Sequence, residues 1–85
     1  MQYKSVKWPF DDQYAKKCFC YVTKAPGRNA HLYVHRPINS NVWSYTLDAG
    51  PNNERSHSGG IGESLSIEEA FSKAISSCIK SNSWE

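Results

Sequence analysis

Residues 17–24 read Lys17-Cys18-Phe19-Cys20-Tyr21-Val22-Thr23-Lys24, and the fold hangs on how that stretch is divided. Side chains alternate between the two faces of a strand. One face then carries Cys18, Cys20 and Val22, and the other Phe19, Tyr21 and Thr23. The first set is compact and apolar, which makes it the expected core face. The second set is bulkier, and its bulk leaves the reverse assignment open. Working outward, the strand begins near Tyr14 and stops at Ala25-Pro26-Gly27-Arg28-Asn29, a turn in which Pro presets φ and Gly supplies positive φ.

A second alternating run follows from Ala30 to Arg36, with Ala30, Leu32 and Val34 set against His31, Tyr33 and His35. Pro37 has no N–H to donate and closes it. Beyond the turn at Asn39-Ser40-Asn41, Val42 to Asp48 alternates a third time, with Trp43, Tyr45 and Leu47 on one side. Three strands with short connections predict an antiparallel meander over residues 14–48. Residues 1–13 read as an extended arm. Pro9 bars a central strand there, and Trp8 or Phe10 is placed to plug an edge of the core. Residues 49–65, rich in Gly, Asn and Ser, read as a long loop.

The period changes to 3.6 at the end. Ile67, Ala70, Phe71, Ala74, Ile75, Cys78 and Ile79 form one apolar stripe of a helix over 66–82. Ser66 caps it, with Glu69 three residues on as in a capping box. Lys80 suits the negative end of the dipole, and Asn82 the C-cap. The expected fold is a single α+β domain of order β-β-β-α. Its sheet lays Cys18, Cys20, Val22, Leu32, Val34, Tyr45 and Leu47 against Phe71, Ile75 and Cys78. The other sheet face has only the arm left to cover it.

Composition limits the function classes. The chain has 85 residues, a net charge of +2, 39% apolar and 21% charged residues. That suits one small folded domain with a thin core and leaves little room for a large enclosed cofactor pocket. Cys18–Val22 is the longest apolar run, far short of the roughly 20 residues of a membrane span. Met1-Gln2-Tyr3-Lys4 lacks the apolar region of a secretory signal. Three cysteines, an odd number without Cys-x-x-Cys spacing, read as reduced thiols in a cytoplasm. Charge is uneven. Up to His57, eight basic residues meet four acidic ones (+4); from Ser58 onward, two meet four (−2).

Catalytic and ligand motifs are weak. Ser58-Gly59-Gly60-Ile61-Gly62-Glu63-Ser64 precedes a helix but lacks the Gly-Lys-Ser/Thr ending of a phosphate loop. His31 and His35, four apart on a strand, stand about 13 Å from each other, too far to share a metal ion. No nucleophile elbow and no carboxylate pair stands out, so the expectation is a non-enzymatic protein without metal or cofactor. The open sheet face is the candidate site: Phe19, Tyr21, His31 and Tyr33, flanked by Arg28, Arg36 and the loop's Arg55. Aromatic and Arg side chains suit a protein interface. They also stack bases and neutralise phosphates, and aromatics are good strand residues in their own right.

The meander at Lys17–Thr23, His31–Arg36 and Trp43–Leu47, followed by Ser66-Ile67-Glu68-Glu69-Ala70-Phe71, resembles many small phage and mobile-element proteins. Among these are some anti-CRISPR proteins and other inhibitors of bacterial immunity. The arm-binding N-terminal domains of some tyrosine integrases, which lay a three-stranded sheet on DNA, are similar too. The resemblance implies a phage-encoded inhibitor that binds a host defence protein or ribonucleoprotein in the bacterial cytoplasm. The alternative it implies is a nucleic-acid-binding module using the open face. Self-association through a strand edge or sheet face, giving a homodimer rather than a monomer, is a third expectation.

Overall fold

The computed structural model describes residues 2–10, 18–25, 30–48, 55–63 and 66–80, with the side chains of 55–57 excepted. Among these residues it is α+β, but the sheet has five strands rather than three. Their order is that of the chain: β1 (Lys4–Ser5), β2 (Cys18–Lys24), β3 (His31–Pro37), β4 (Val42–Asp48) and β5 (Arg55–Glu63). Every neighbouring pair is antiparallel. One helix, α1 (Ile67–Lys80), follows. The ends of the expected arm, first strand and helix (11–13, 14–17 and 81–82) lie outside the described residues, as does Arg28 with most of its turn.

The two additional strands have separate physical origins. β1 is the start of the arm: Lys4 and Ser5 pair with Val22 and Tyr21, and the Val6 N–H donates to the Cys20 carbonyl at 3.0 Å. β5 occupies the stretch expected to be a loop. It lacks an alternating apolar pattern because it is an edge strand rich in glycine. Gly59 lies opposite Tyr45, and a Cβ there would stand 3.2 Å from the Tyr45 ring. Gly62, at φ 128°, sits beside a bulge opposite Trp43 and Ser44. The glycines therefore make room for an aromatic side chain and for a kink in the strand.

The chain reverses between β2 and β3 as expected, and between β3 and β4 at Ile38–Asn39, one residue before the expected Asn39-Ser40-Asn41. The Ala25 N–H donates to Ala30 O at 2.9 Å and closes the β2–β3 hairpin, and the Ser40 N–H donates to Pro37 O between β3 and β4. Ser66 caps α1, its Oγ accepting from the Glu69 N–H at 3.2 Å. Ala70, Phe71, Ala74 and Cys78 are buried against the sheet. Ile79, the last of the expected stripe, is instead 55% exposed.

The phase of β2 is the main correction. Tyr21 stands opposite Val34, and Val34 opposite Tyr45. Cross-strand partners share a face, so Phe19, Tyr21 and Thr23 lie on the helix side with Leu32, Val34, Trp43, Tyr45 and Leu47. Cys18, Cys20 and Val22 face the other way, towards the arm. Bulk decides between the two. The helix leaves a rim that aromatic rings fill, whereas the small thiols fit beneath Trp8 and Phe10. No described helix is long and apolar enough to cross a membrane.

Candidate functional site

The face expected to be open is closed over much of its area. Trp8 and Phe10 are buried against Cys20, with Val6, Cys18 and Tyr33 packed around them. The Trp8 ring meets the His35 ring edge-on at 4.4 Å, and Phe10 meets Tyr33 at 5.5 Å. His35 is buried and shares a 3.0 Å hydrogen bond with Thr46 Oγ1. The arm therefore lies across the sheet face, beyond the edge it was expected to plug. Burial, aided by the neighbouring Cys18, pushes the Cys20 thiol up to about 12, so it carries almost no thiolate at neutral pH. Burial also raises the Tyr33 phenol, and the Asp48 carboxylate adds to the effect.

The sequence-designated residues thus divide into two groups. His31 and Tyr33 are on the arm face. Phe19, Tyr21 and Arg36 are on the helix face, where the register sets Phe19 opposite Arg36. Arg28 lies outside the described residues. Arg55 opens β5, and its side chain lies outside them as well.

What the structure does assemble is a stack at the β3–β4 end of the helix face. The Arg36 guanidinium sits 4.5 Å from the centre of the Phe19 ring and 5.4 Å from that of Trp43. It is fixed from behind, since Nη1 donates to the Ser40 carbonyl at 3.0 Å. The row of rings runs on: Trp43 to Tyr21 at 6.2 Å, Tyr21 to Tyr3 at 6.1 Å, and Tyr3 to Phe71 at 5.5 Å. Tyr3 Oη donates to Glu68 Oε1 at 2.8 Å, which ties this row to the start of α1 and raises the phenol above its ordinary value.

The two ends of the row differ in cover. Beside α1, Phe71 is wholly buried, and Tyr3, though 37% exposed, is held on one side by the Phe71 ring and by its bond to Glu68. At the β3–β4 turn Phe19 is 41% exposed, and Ile38 and Val42 are exposed at the same end of the sheet. An Arg tethered within 4.5 Å and 5.4 Å of two ring centres, one ring half open to solvent, can bury apolar area and offer directed N–H donors together. Trp43 was read from the sequence only as a residue of the third strand, on one side with Tyr45 and Leu47. Its place was available from the turn, because counting back from Asn39-Ser40 sets Arg36 across from Trp43, one step beyond the His35–Ser44 pair. No family model, no curated protein and no solved structure matches this chain.

Proposed function

We propose that the protein is a small non-enzymatic interaction module. It docks a partner protein on the exposed end of the Phe19–Arg36–Trp43 stack, with Ile38 of the adjoining turn as the rim. The observation that supports this most is the stack itself. Arg and Trp dominate the energetics of protein interfaces, and a ring-stacked, carbonyl-tethered Arg loses little side-chain entropy on binding. The matching partner surface is apolar with a carboxylate at its centre, which takes the remaining guanidinium donors bidentately. The resemblance to phage proteins extends the reading to an inhibitor of a host defence protein or ribonucleoprotein in a bacterial cytoplasm. That extension rests on the resemblance alone.

Nucleic acid is the second reading, since Arg and aromatic rings also hold bases. It relied on a broad platform of Phe19, Tyr21 and Tyr33. With Tyr33 under Phe10 on the opposite face, stacking of successive bases loses one of its rings, and protein becomes the favoured partner. Affinity capture from bacterial lysate with the full chain, run beside Phe19→Ala and Arg36→Ala, tests the assignment. A protein retained by the parent and lost by both variants supports it. One retained equally by all three refutes the surface. Retention of nucleic acid, falling with salt at a slope near −0.9 per phosphate, transfers the surface to the second reading.

A further inference from the structure

The arm face holds a second feature at its other end, away from Trp8 and Phe10. A shallow cavity of about 350 Å³ opens there between the start of β1 and the facing ends of β2 and β3. The ladder registers determine which side chains meet in it. Lys24 stands directly opposite His31, and Lys4 is paired with Val22, two residues before Lys24 on the same face. Direct cross-strand neighbours hold their Cβ atoms about 4.5–5.5 Å apart, and diagonal backbone neighbours lie about 7–8 Å apart. Two ammonium groups and an imidazole are thus gathered on one concave patch.

Among the described residues no carboxylate forms an ion pair with Lys4 or Lys24. Asp48 lies across the next ladder from His31 and is itself buried. Gathering like charges costs stability, and an anion seated among them reverses that cost. The site's wall is also braced. The Thr23 hydroxyl donates to the Gln2 carbonyl at 2.7 Å, and Tyr3 is clasped on the opposite face by Glu68 and Phe71. The backbone that presents Lys4 is therefore held in place before any ligand arrives. Val22, 8% exposed, supplies an apolar floor.

We propose that this corner binds a phosphate group, carried by free phosphate or by a small phosphate monoester. Lys4 and Lys24 neutralise its charge, His31 donates an N–H, and the organic part of an ester lies over Val22. Phosphate fits better than carboxylate because the donors are separate point charges converging from three strands. A planar carboxylate is better served by the fork of an Arg. The corner is on the opposite face from Arg36 and five residues along β3, roughly 16 Å away. It stands or falls independently of the docking surface.

The test is an NMR titration of the isotope-labelled full chain with inorganic phosphate, phosphoserine and adenosine monophosphate, against sodium chloride at matched ionic strength. Saturable shifts at Lys24 and His31, with a dissociation constant of about 1 mM or tighter, are expected. The Lys4→Gln/Lys24→Gln double variant should weaken binding at least about tenfold. Both lysines are exposed, so unchanged amide signals elsewhere will show that the variant keeps its fold. Tighter binding of the esters assigns the site to an organic phosphate, and equal binding assigns it to the free ion. Shifts that rise linearly and are matched by chloride overturn the proposal, as does saturable binding that the double variant leaves unchanged.

Discussion

Replacing Trp8 with Ala tests whether the arm is part of the folded core. Trp8 is 8% exposed and lies against Phe10, His35 and Cys20. A buried aromatic of this size withdraws about 150–250 Å² from water. At about 25 cal/mol per Å² that is worth roughly 4–6 kcal/mol. A compact unfolded ensemble lowers the figure by some 10–40%, leaving about 2–5 kcal/mol with the middle of the range near 4. Large-to-small aromatic substitutions in cores fall in the same range. A chain of this length has a total stability of only about 4–13 kcal/mol, so Trp8→Ala should remove a quarter of it or more. In urea, followed by circular dichroism, the midpoint should drop by roughly 2 M at a slope of about 1.5 kcal/mol/M. Alkylation of Cys20 under native conditions should accelerate in parallel, because the ring covering it has gone. If the variant does not fold, Trp8→Phe keeps a smaller ring in place and should show a smaller loss with a smaller acceleration. A loss below about 1 kcal/mol with Cys20 still protected would refute the claim that the arm seals this face.

Other perturbations address separate features. Gly59→Val sets a branched side chain against the Tyr45 ring, where even a Cβ stands at 3.2 Å, and should cost about 1–3 kcal/mol by thermal unfolding. Ser66→Ala removes the acceptor for the Glu69 N–H and should cost about 1 kcal/mol, read as a lower midpoint with the same native spectrum. Phe19→Ala, at an exposed ring, should cost far less stability than Trp8→Ala while abolishing partner capture, and denaturation beside capture separates the two effects. Stability should also fall at high pH. The Cys20 thiol titrates near 9.0 when unfolded and at about 12 when folded, so above pH 9 only the unfolded chain releases its proton. The contribution is whole below pH 9 and is lost as the pH climbs to 12, and Cys20→Ala should flatten that limb of the curve.

Much of the fold was legible because its signals are local. The cap at Ser66 and the stripe from Ile67 to Cys78 depend on neighbours in sequence and formed as read, and the turn after Pro37 formed one residue from its expected place. The phase of β2 was not local. Alternation says that Cys18 and Phe19 face opposite ways but not which way is inward, and two apolar sets of different bulk both fit a buried face. Only the volumes offered by Trp8 and Phe10 on one side, and by Phe71 and Tyr3 on the other, decide it. β5 was invisible for another reason. An edge strand whose glycines yield space to Tyr45 carries its information on the facing strand, not on itself. The site followed the phase: reversing β2 took Phe19 and Tyr21 away from Tyr33 and brought Phe19 to Arg36.

The clasp between Tyr3 and Glu68 joins residues 65 apart, and it sets an order of events at synthesis. At about 5–20 residues per second, the ribosome makes Tyr3 roughly 3–13 s before it makes Glu68. During that interval the tyrosine has no helix to grip, and Phe71 does not yet exist to receive its ring. The strand ladders can close pair by pair as they emerge, since each pairs with its predecessor. Trp8 and Phe10 can settle once β2 and β3 are present, well before the helix. The nascent chain thus protects its thiol-lined face first and leaves its helix-side face, with Tyr21 and Trp43, uncovered until α1 arrives. A chaperone or a partner that meets this protein on the ribosome meets that face.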